Sequence, residues 1–197
     1  MNVSRETQEK LELYHGLLKK WNPRINLVSP TTLKDAWERH FLDSLQVFSL
    51  APSKLESWAD FGSGGGFPGA VVGIALHDKS PSSKVTLVES DQRKATFLRT
   101  VSRETKVPMT IVSERVEHIE TLKSDVISAR ALAPLDALLE MTALHLREGG
   151  TALFQKGENW REEIATAEKR WHFSWHPHKS VTNPNAVVLE IGELSRA

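Results

Sequence analysis

Residues 60 to 69 read Asp-Phe-Gly-Ser-Gly-Gly-Gly-Phe-Pro-Gly, and twenty residues further on the apolar run Val85-Thr86-Leu87-Val88 stops on Glu89. A buried strand that runs into Gly62, Gly64 and Gly66 can turn sharply, bring bare backbone close to a ligand and direct free amides at it from the start of a helix. Pro68 suits the first turn of that helix, where a missing N–H is not felt. Glu89 then ends the neighbouring strand, where a carboxylate can accept both hydroxyls of a ribose. Together the two features predict a nucleoside-binding crevice at the edge of an α/β sheet.

The spacing narrows the choice of nucleoside. The dinucleotide fingerprint G-x-G-x-x-G has a third glycine three residues after the second, which leaves room for a pyrophosphate. Here Phe67 stands in that place, between Gly66 and Pro68. S-adenosylmethionine carries no phosphate, and a loop that passes close to its methionine and ribose parts is enough, so the loop favours this methyl donor over NAD. Asp60-Phe61-Gly62 also spells the kinase magnesium motif, but the chain has no H-R-D-type catalytic loop and its glycines follow the motif instead of preceding it. An idle surface turn would not need three glycines, each of which loses backbone entropy on folding.

A chain of 197 residues fits one domain with a substantial core. It has no cysteine, which excludes disulfides, Cys-based zinc sites and thiol nucleophiles. No apolar run reaches the roughly 20 residues of a membrane helix, and the start of the chain has no signal-peptide core, so a soluble cytoplasmic protein is expected. Lys plus Arg and Asp plus Glu are both 25, giving zero net charge. That balance argues against a protein that grips a long track of nucleic acid. Two local basic patches stand out, Lys19-Lys20 with Arg24 and Arg93-Lys94 with Arg99 and Arg103, although a solvated helix face explains each of them.

Leu11, Tyr14, Leu17, Leu18 and Trp21 recur at helical spacing over residues 4 to 20, and Asn22-Pro23 is expected to end that helix. A second helical stretch over about 33–50 completes an N-terminal extension of residues 1–56. From residue 57 to 197 the pattern alternates. Strands are predicted at about 57–61, 84–89, 109–112, 124–128 and 149–155, with helices at about 68–77, 91–105, 134–146 and 160–169 between and after them. Residues 171–176 and 186–192 read as a closing hairpin. A seven-stranded, mostly parallel sheet with an antiparallel last strand is the Rossmann-like architecture of class I methyltransferases, whereas a nicotinamide domain would end on another parallel strand.

Other residues fall on the same sheet edge. Val116 and Glu117 follow the third strand, where a backbone group and a carboxylate can read an adenine. Arg130 follows the fourth strand among apolar neighbours, and Lys156 follows the fifth; a cation at the carboxyl ends of strands can pair with a donor carboxylate or an acceptor base. His176 and His178 share a face but have no third ligand nearby, so no metal site is expected. His40, Asp43 and Ser44 lie within one helical stretch and no G-x-S-x-G occurs, which removes a hydrolytic triad.

Four segments carry a resemblance: Trp21-Asn22-Pro23-Arg24-Ile25-Asn26-Leu27-Val28, Arg39-His40-Phe41-Leu42-Asp43-Ser44-Leu45, the Asp60 to Gly69 loop, and Ser90-Asp91-Gln92-Arg93-Lys94 with Phe97-Leu98-Arg99. Over about Leu11 to Lys156 the chain resembles the bacterial small-subunit ribosomal RNA methyltransferase G family, also called glucose-inhibited division protein B. The resemblance implies a class I methyltransferase with an N-terminal helical extension, S-adenosylmethionine as donor, and N7 of one guanosine in a hairpin loop of 16S rRNA as acceptor. It implies cofactor contacts at Gly62, Phe67, Val116, Glu117 and Arg130, beside Gly64 and Glu89 from the residues themselves. Guanine N7 needs no general base, so no catalytic acid or base is expected and Arg130 has at most an orienting role. The balanced charge is reconciled with an RNA substrate if a small ribosomal subunit or its precursor supplies much of the docking surface. Rival readings are a methyltransferase acting on tRNA or a small molecule, and a non-catalytic S-adenosylmethionine-binding regulator.

Overall fold

The computed structural model describes residues 3–197. The chain runs α1 (Arg5–Ile25), α2 (Pro30–Leu33), a π-helical turn (Trp37–Leu42) and α3 (Asp43–Ser49) before entering the sheet at β1 (Ser57–Phe61). It continues through α4 (Gly69–Lys79), β2 (Lys84–Val88), α5 (Gln92–Thr105), β3 (Thr110–Val112), a 3-10 turn (Val116–His118), β4 (Ser124–Arg130) and α6 (Leu135–His145). The last elements are β5 (Leu146–Lys156), α7 (Trp160–Ala167), β6 (Trp171–Lys179) and β7 (Val187–Arg196).

The seven strands form one sheet in the order β3-β2-β1-β4-β5-β7-β6. β3, β2, β1, β4 and β5 are parallel to their neighbours, and β7 is antiparallel to both β5 and β6. The closing hairpin is therefore the reversed element that the alternating residues at 171–176 and 186–192 predicted. The direction of winding changes between β1 and β4, which opens a crevice at their carboxyl ends, the place where open α/β sheets bind ligands.

The strands sort their side chains by period two. Trp58, Val126, Leu153 and Val188 face one apolar cluster, with Leu11, Tyr14, Leu18, Phe41, Val71 and Leu98 of the helices. Ala59, Ile127, Phe154 and Leu189 face the other, with Leu138, Leu139, Trp160 and Ile164. The N-terminal helices thus share their core with α4 and α5, and burial of about 1.5–3 kcal/mol per large apolar side chain makes that attachment substantial.

Ser4 caps α1 by accepting from the Thr7 amide at 3.0 Å. The helix passes Pro23 and ends at Ile25, later than the Asn22-Pro23 pair suggested. In the last turn proline removes a single N–H, and the real stop is Asn26, left-handed at φ 48°, whose amide bonds the Asn22 carbonyl. The Asn22 side chain then accepts from the Val28 amide at 2.8 Å and directs the chain away. The stretch expected as one helix over 33–50 is broken into α2, the π-helical turn and α3. β5 starts at Leu146, earlier than the expected 149.

Candidate cofactor and acceptor site

β1 delivers the chain into the glycine loop, where Gly62, Gly64 and Gly66 have φ of 63°, 56° and 94°. These are left-handed conformations that side chains resist. Gly66 is also pressed from above: a Cβ there would stand 2.3 Å from the Tyr14 hydroxyl oxygen. That hydroxyl donates to the Gly65 carbonyl, and the Tyr14 ring stacks on Phe67 with centroids 5.5 Å apart. α1 therefore clamps the loop onto the sheet.

Glu89 clamps it from the other side. Its Oε2 accepts from the Gly64 amide at 2.8 Å and its Oε1 from the Asp91 amide at 2.7 Å. The side chain is buried, yet each oxygen keeps a lone pair. Beneath the loop, Trp58 Nε1 donates to Ser128 Oγ at 2.8 Å, and Ser128 Oγ donates to Asp60 Oδ1 at 2.6 Å. Asp60 is fully buried, and burial raises its carboxyl to about 6, against the opposing pull of the Ser128 bond, of the polar groups of Ser63 and Gly69 beside it, and of the Arg130 charge.

Arg130 leaves the end of β4 half-buried. Its Cζ lies 5.1 Å from the Phe67 ring centroid, and its Nη1 donates to His40 Nδ1 at 2.9 Å. His40 in turn stacks on Phe67 at 5.0 Å. Phe67 is consequently covered by Tyr14, His40 and Arg130 and is 2% exposed. After Arg130 the chain turns at Ala131, a non-glycine residue at φ 51°, and lays the exposed Leu132 against Gly62, where an added Cβ would be 2.5 Å from its methyl carbon. The loop after β4 and the glycine loop are thus in contact.

Beyond Arg130 opens a cavity of about 760 Å³, walled by Arg130, Leu132, Pro134, Gln155 and Lys156. Arg130 and Gln155 are register partners on β4 and β5. Gln155 donates to Asp43, as Arg130 does to His40, so two strand ends are hooked to the π-helical turn and the start of α3. Lys156 Nζ donates to the Ala133 carbonyl at 2.9 Å and to Glu163 at 2.6 Å, which fixes the cavity floor. A second cavity of about 710 Å³, lined by Glu56, Asp125 and Arg147, lies at the opposite ends of the strands and far from these groups.

The sequence-predicted residues Gly62, Gly64, Phe67, Glu89 and Arg130 are brought together at the carboxyl ends of β1, β2 and β4. Val116 stands after β3 in the same apolar cluster as Phe61 and Val88. Its carbonyl faces His145 Nε2 at 3.1 Å, while Glu117 is exposed. His176 and His178 have rings 4.7 Å apart, but His178 pairs with Glu190, and no group of three metal-binding side chains exists among the described residues. Tyr14, Ser128 and His145 gave no functional signal in the sequence. Tyr14 read as part of an apolar stripe, Ser128 as one residue of a buried strand, and His145 as the end of a helix.

A family model described as rRNA small subunit methyltransferase G matches residues 7–189. The chain belongs to this family. The "Ribosomal RNA small subunit methyltransferase G" of Ruegeria pomeroyi is 49% identical over 100% of this chain and 96% of its own length. The protein of the same name from Paracoccus denitrificans is 44% identical over all of both chains. Among solved structures, a SAM-dependent methyltransferase from Aquifex aeolicus aligns with a TM-score of 0.61 at 11% identity, covering 83% of this chain and 98% of that one. An O-methyltransferase from Bacillus cereus in complex with SAH aligns with a TM-score of 0.60 at 13% identity, covering 98% and 93%. At such identities the likeness concerns the fold alone.

Proposed function

We propose that this chain transfers a methyl group from S-adenosylmethionine to N7 of one guanosine in 16S rRNA. The observation that carries the reading is family membership over nearly the whole length, on a sheet whose switch point presents Gly62, Gly64 and Glu89. When bound, the donor supplies an electrophilic methyl on a sulfonium centre to a guanine N7 that has a lone pair and no proton at neutral pH. The residues of the chain then have to bind, align and exclude water.

Glu89 fits a ribose because its oxygens retain acceptor capacity after bonding Gly64 and Asp91. Gly62 and Gly64 offer bare backbone to the methionine part, and Phe67, whose ring is covered, contributes its backbone and the platform under Arg130. Val116 and Glu117 contact the adenine. Arg130 orients the donor carboxylate or the target base. The cavity past Arg130 is large enough for a purine nucleoside and receives the acceptor. Residues 1–56 act as an extension that completes the site of the methyltransferase domain, residues 57–197.

The substrate particle is the small ribosomal subunit or its precursor, and the place of action is the cytoplasm. No helix among the described residues is long and apolar enough to cross a membrane. The test is methyl transfer from radiolabelled S-adenosylmethionine to small subunits from a strain lacking the gene, with mapping of 7-methylguanosine. Label at one 16S guanosine is expected. Donor binding without label on subunits or naked RNA would overturn the assignment of the acceptor.

A further inference from the structure

Arg130 touches Phe67 of the glycine loop and also walls the large cavity, so the direction of its guanidinium matters to both. A free arginine side chain samples many rotamers. Here one end is held: Nη1 meets His40 Nδ1 at 2.9 Å, and the Arg39 carbonyl lies 3.5 Å away. We infer that His40 is a positioning residue, which aims Arg130 at the donor by accepting its hydrogen bond through Nδ1.

The chemistry at both ends of the imidazole agrees on this. Arginine can only donate, so Nδ1 must be the unprotonated nitrogen and the hydrogen must sit on Nε2. Nε2 faces Thr32 Oγ1 at 3.0 Å, and that hydroxyl donates its own hydrogen to the Ser29 carbonyl at 3.0 Å. Its lone pair is therefore available to accept from Nε2. The resulting chain, Arg130 to His40 to Thr32 to Ser29, ties the end of β4 to α2. His40 lies in the π-helical turn, a widened geometry that recurs at functional sites. Its ring is buried against Phe67 and has no freedom to follow Arg130 elsewhere.

The inference rests on Arg130 contacting the donor, and a double-mutant cycle on S-adenosylmethionine binding, read by calorimetry, separates the two. Arg130→Ala is expected to weaken binding about tenfold or more, and His40→Ala by about tenfold, as the loss of one charge-assisted hydrogen bond would do. The double variant is expected to bind no more weakly than Arg130→Ala, because His40 acts only through the arginine. If Arg130→Ala binds donor and turns over like the wild type, the role of Arg130 fails and the positioning role falls with it. If Arg130→Ala is impaired and His40→Ala is not, or if the two losses add fully, only the positioning role is overturned.

Should His40→Ala fail to fold, two other variants decide. Asparagine places an acceptor where Nδ1 was, and glutamine places one where Nε2 was. His40→Asn is expected to recover most of the affinity and His40→Gln to lose about tenfold, the factor of one charge-assisted bond. Equal affinities in the two would overturn the proposal, since both lose the ring and differ only in where the acceptor lies.

Discussion

Glu89 holds Gly64 through a 2.8 Å hydrogen bond from the glycine amide to Oε2, so the acidic residue that follows β2 also shapes the loop that follows β1. One carboxylate thus holds the backbone of a loop that follows the neighbouring strand. Its second oxygen holds the Asp91 amide, and Asp91 in turn caps α5 by accepting from the Arg93 amide at 2.8 Å.

Replacing Glu89 by Gln leaves one amide N–H of Gly64 or Asp91 facing an NH₂ group. The expected loss is about 1–3 kcal/mol of stability, the penalty of a buried donor left without an acceptor. Donor affinity is expected to fall about tenfold or more, since a charged acceptor is lost as well. Urea denaturation and calorimetry measure the two effects separately, and an unchanged affinity would remove Glu89 from the ribose.

Gly62 and Gly66 are expected to respond differently to alanine. At Gly66 the new methyl meets the buried Tyr14 hydroxyl at 2.3 Å on top of the left-handed φ of 94°, and Tyr14 is 0% exposed with nowhere to retreat. A loss of about 3 kcal/mol or more is expected from overpacking plus strain. At Gly62 the obstacle is Leu132, which is 38% exposed and can swing away. There stability should fall only by about 1–2 kcal/mol, the strain of a left-handed alanine, while donor binding is lost. Thermal melting ranks the two, and the reverse ranking would contradict this account.

Ser128→Ala breaks the bond to the buried Asp60 and leaves Trp58 Nε1 without its acceptor. About 1–3 kcal/mol of stability is expected to go. The bond from Ser128 lowers the Asp60 carboxyl, so its removal should raise that group above the present value of about 6. Because the folded value is raised, its contribution to stability is fully present below the ordinary carboxylate range and is lost as pH rises through about 6. A carbonyl-carbon NMR titration of Asp60 in both proteins checks the direction; a lower value in the variant would rule the account out.

His40 is depressed to about 3, first by burial and then by the charges of Arg130 and Arg39 that face it. Its folded value lies below the unfolded one, so its contribution to stability is present above about 6.5 and is lost as pH falls toward 3. The imidazole should therefore remain neutral at pH 5 by nitrogen NMR, with the hydrogen on Nε2. Protonation near pH 6 would contradict the Arg130 contact.

The local features were legible in the sequence. Glycines that must adopt positive φ, a strand that ends on an acid, helical and alternating apolar periods, and a closing hairpin are all set by residues close together in the chain. They yielded the seven-stranded sheet, the crevice and the placing of Gly62, Gly64, Glu89 and Arg130 at its rim. Among the misjudged boundaries, those at Pro23 and within 33–50 fall where capping by Asn22 and Asn26 or burial of His40 and Phe41 overrode local preference.

The partners of those residues were decided only by the tertiary structure. Asp60 meets Ser128 because β1 and β4 pair in that register, and Arg130 lies beside Gln155 because β4 and β5 do. Tyr14 reaches Gly65, and His40 reaches Arg130, across long stretches of chain, because the N-terminal helices bury their apolar faces on α4, α5 and the sheet. A hydrogen bond needs its atoms within about 3 Å, and periodicity fixes which face a residue occupies but not which distant atom will stand opposite it. Sequence chose the residues of the site, and packing chose what holds each of them in place.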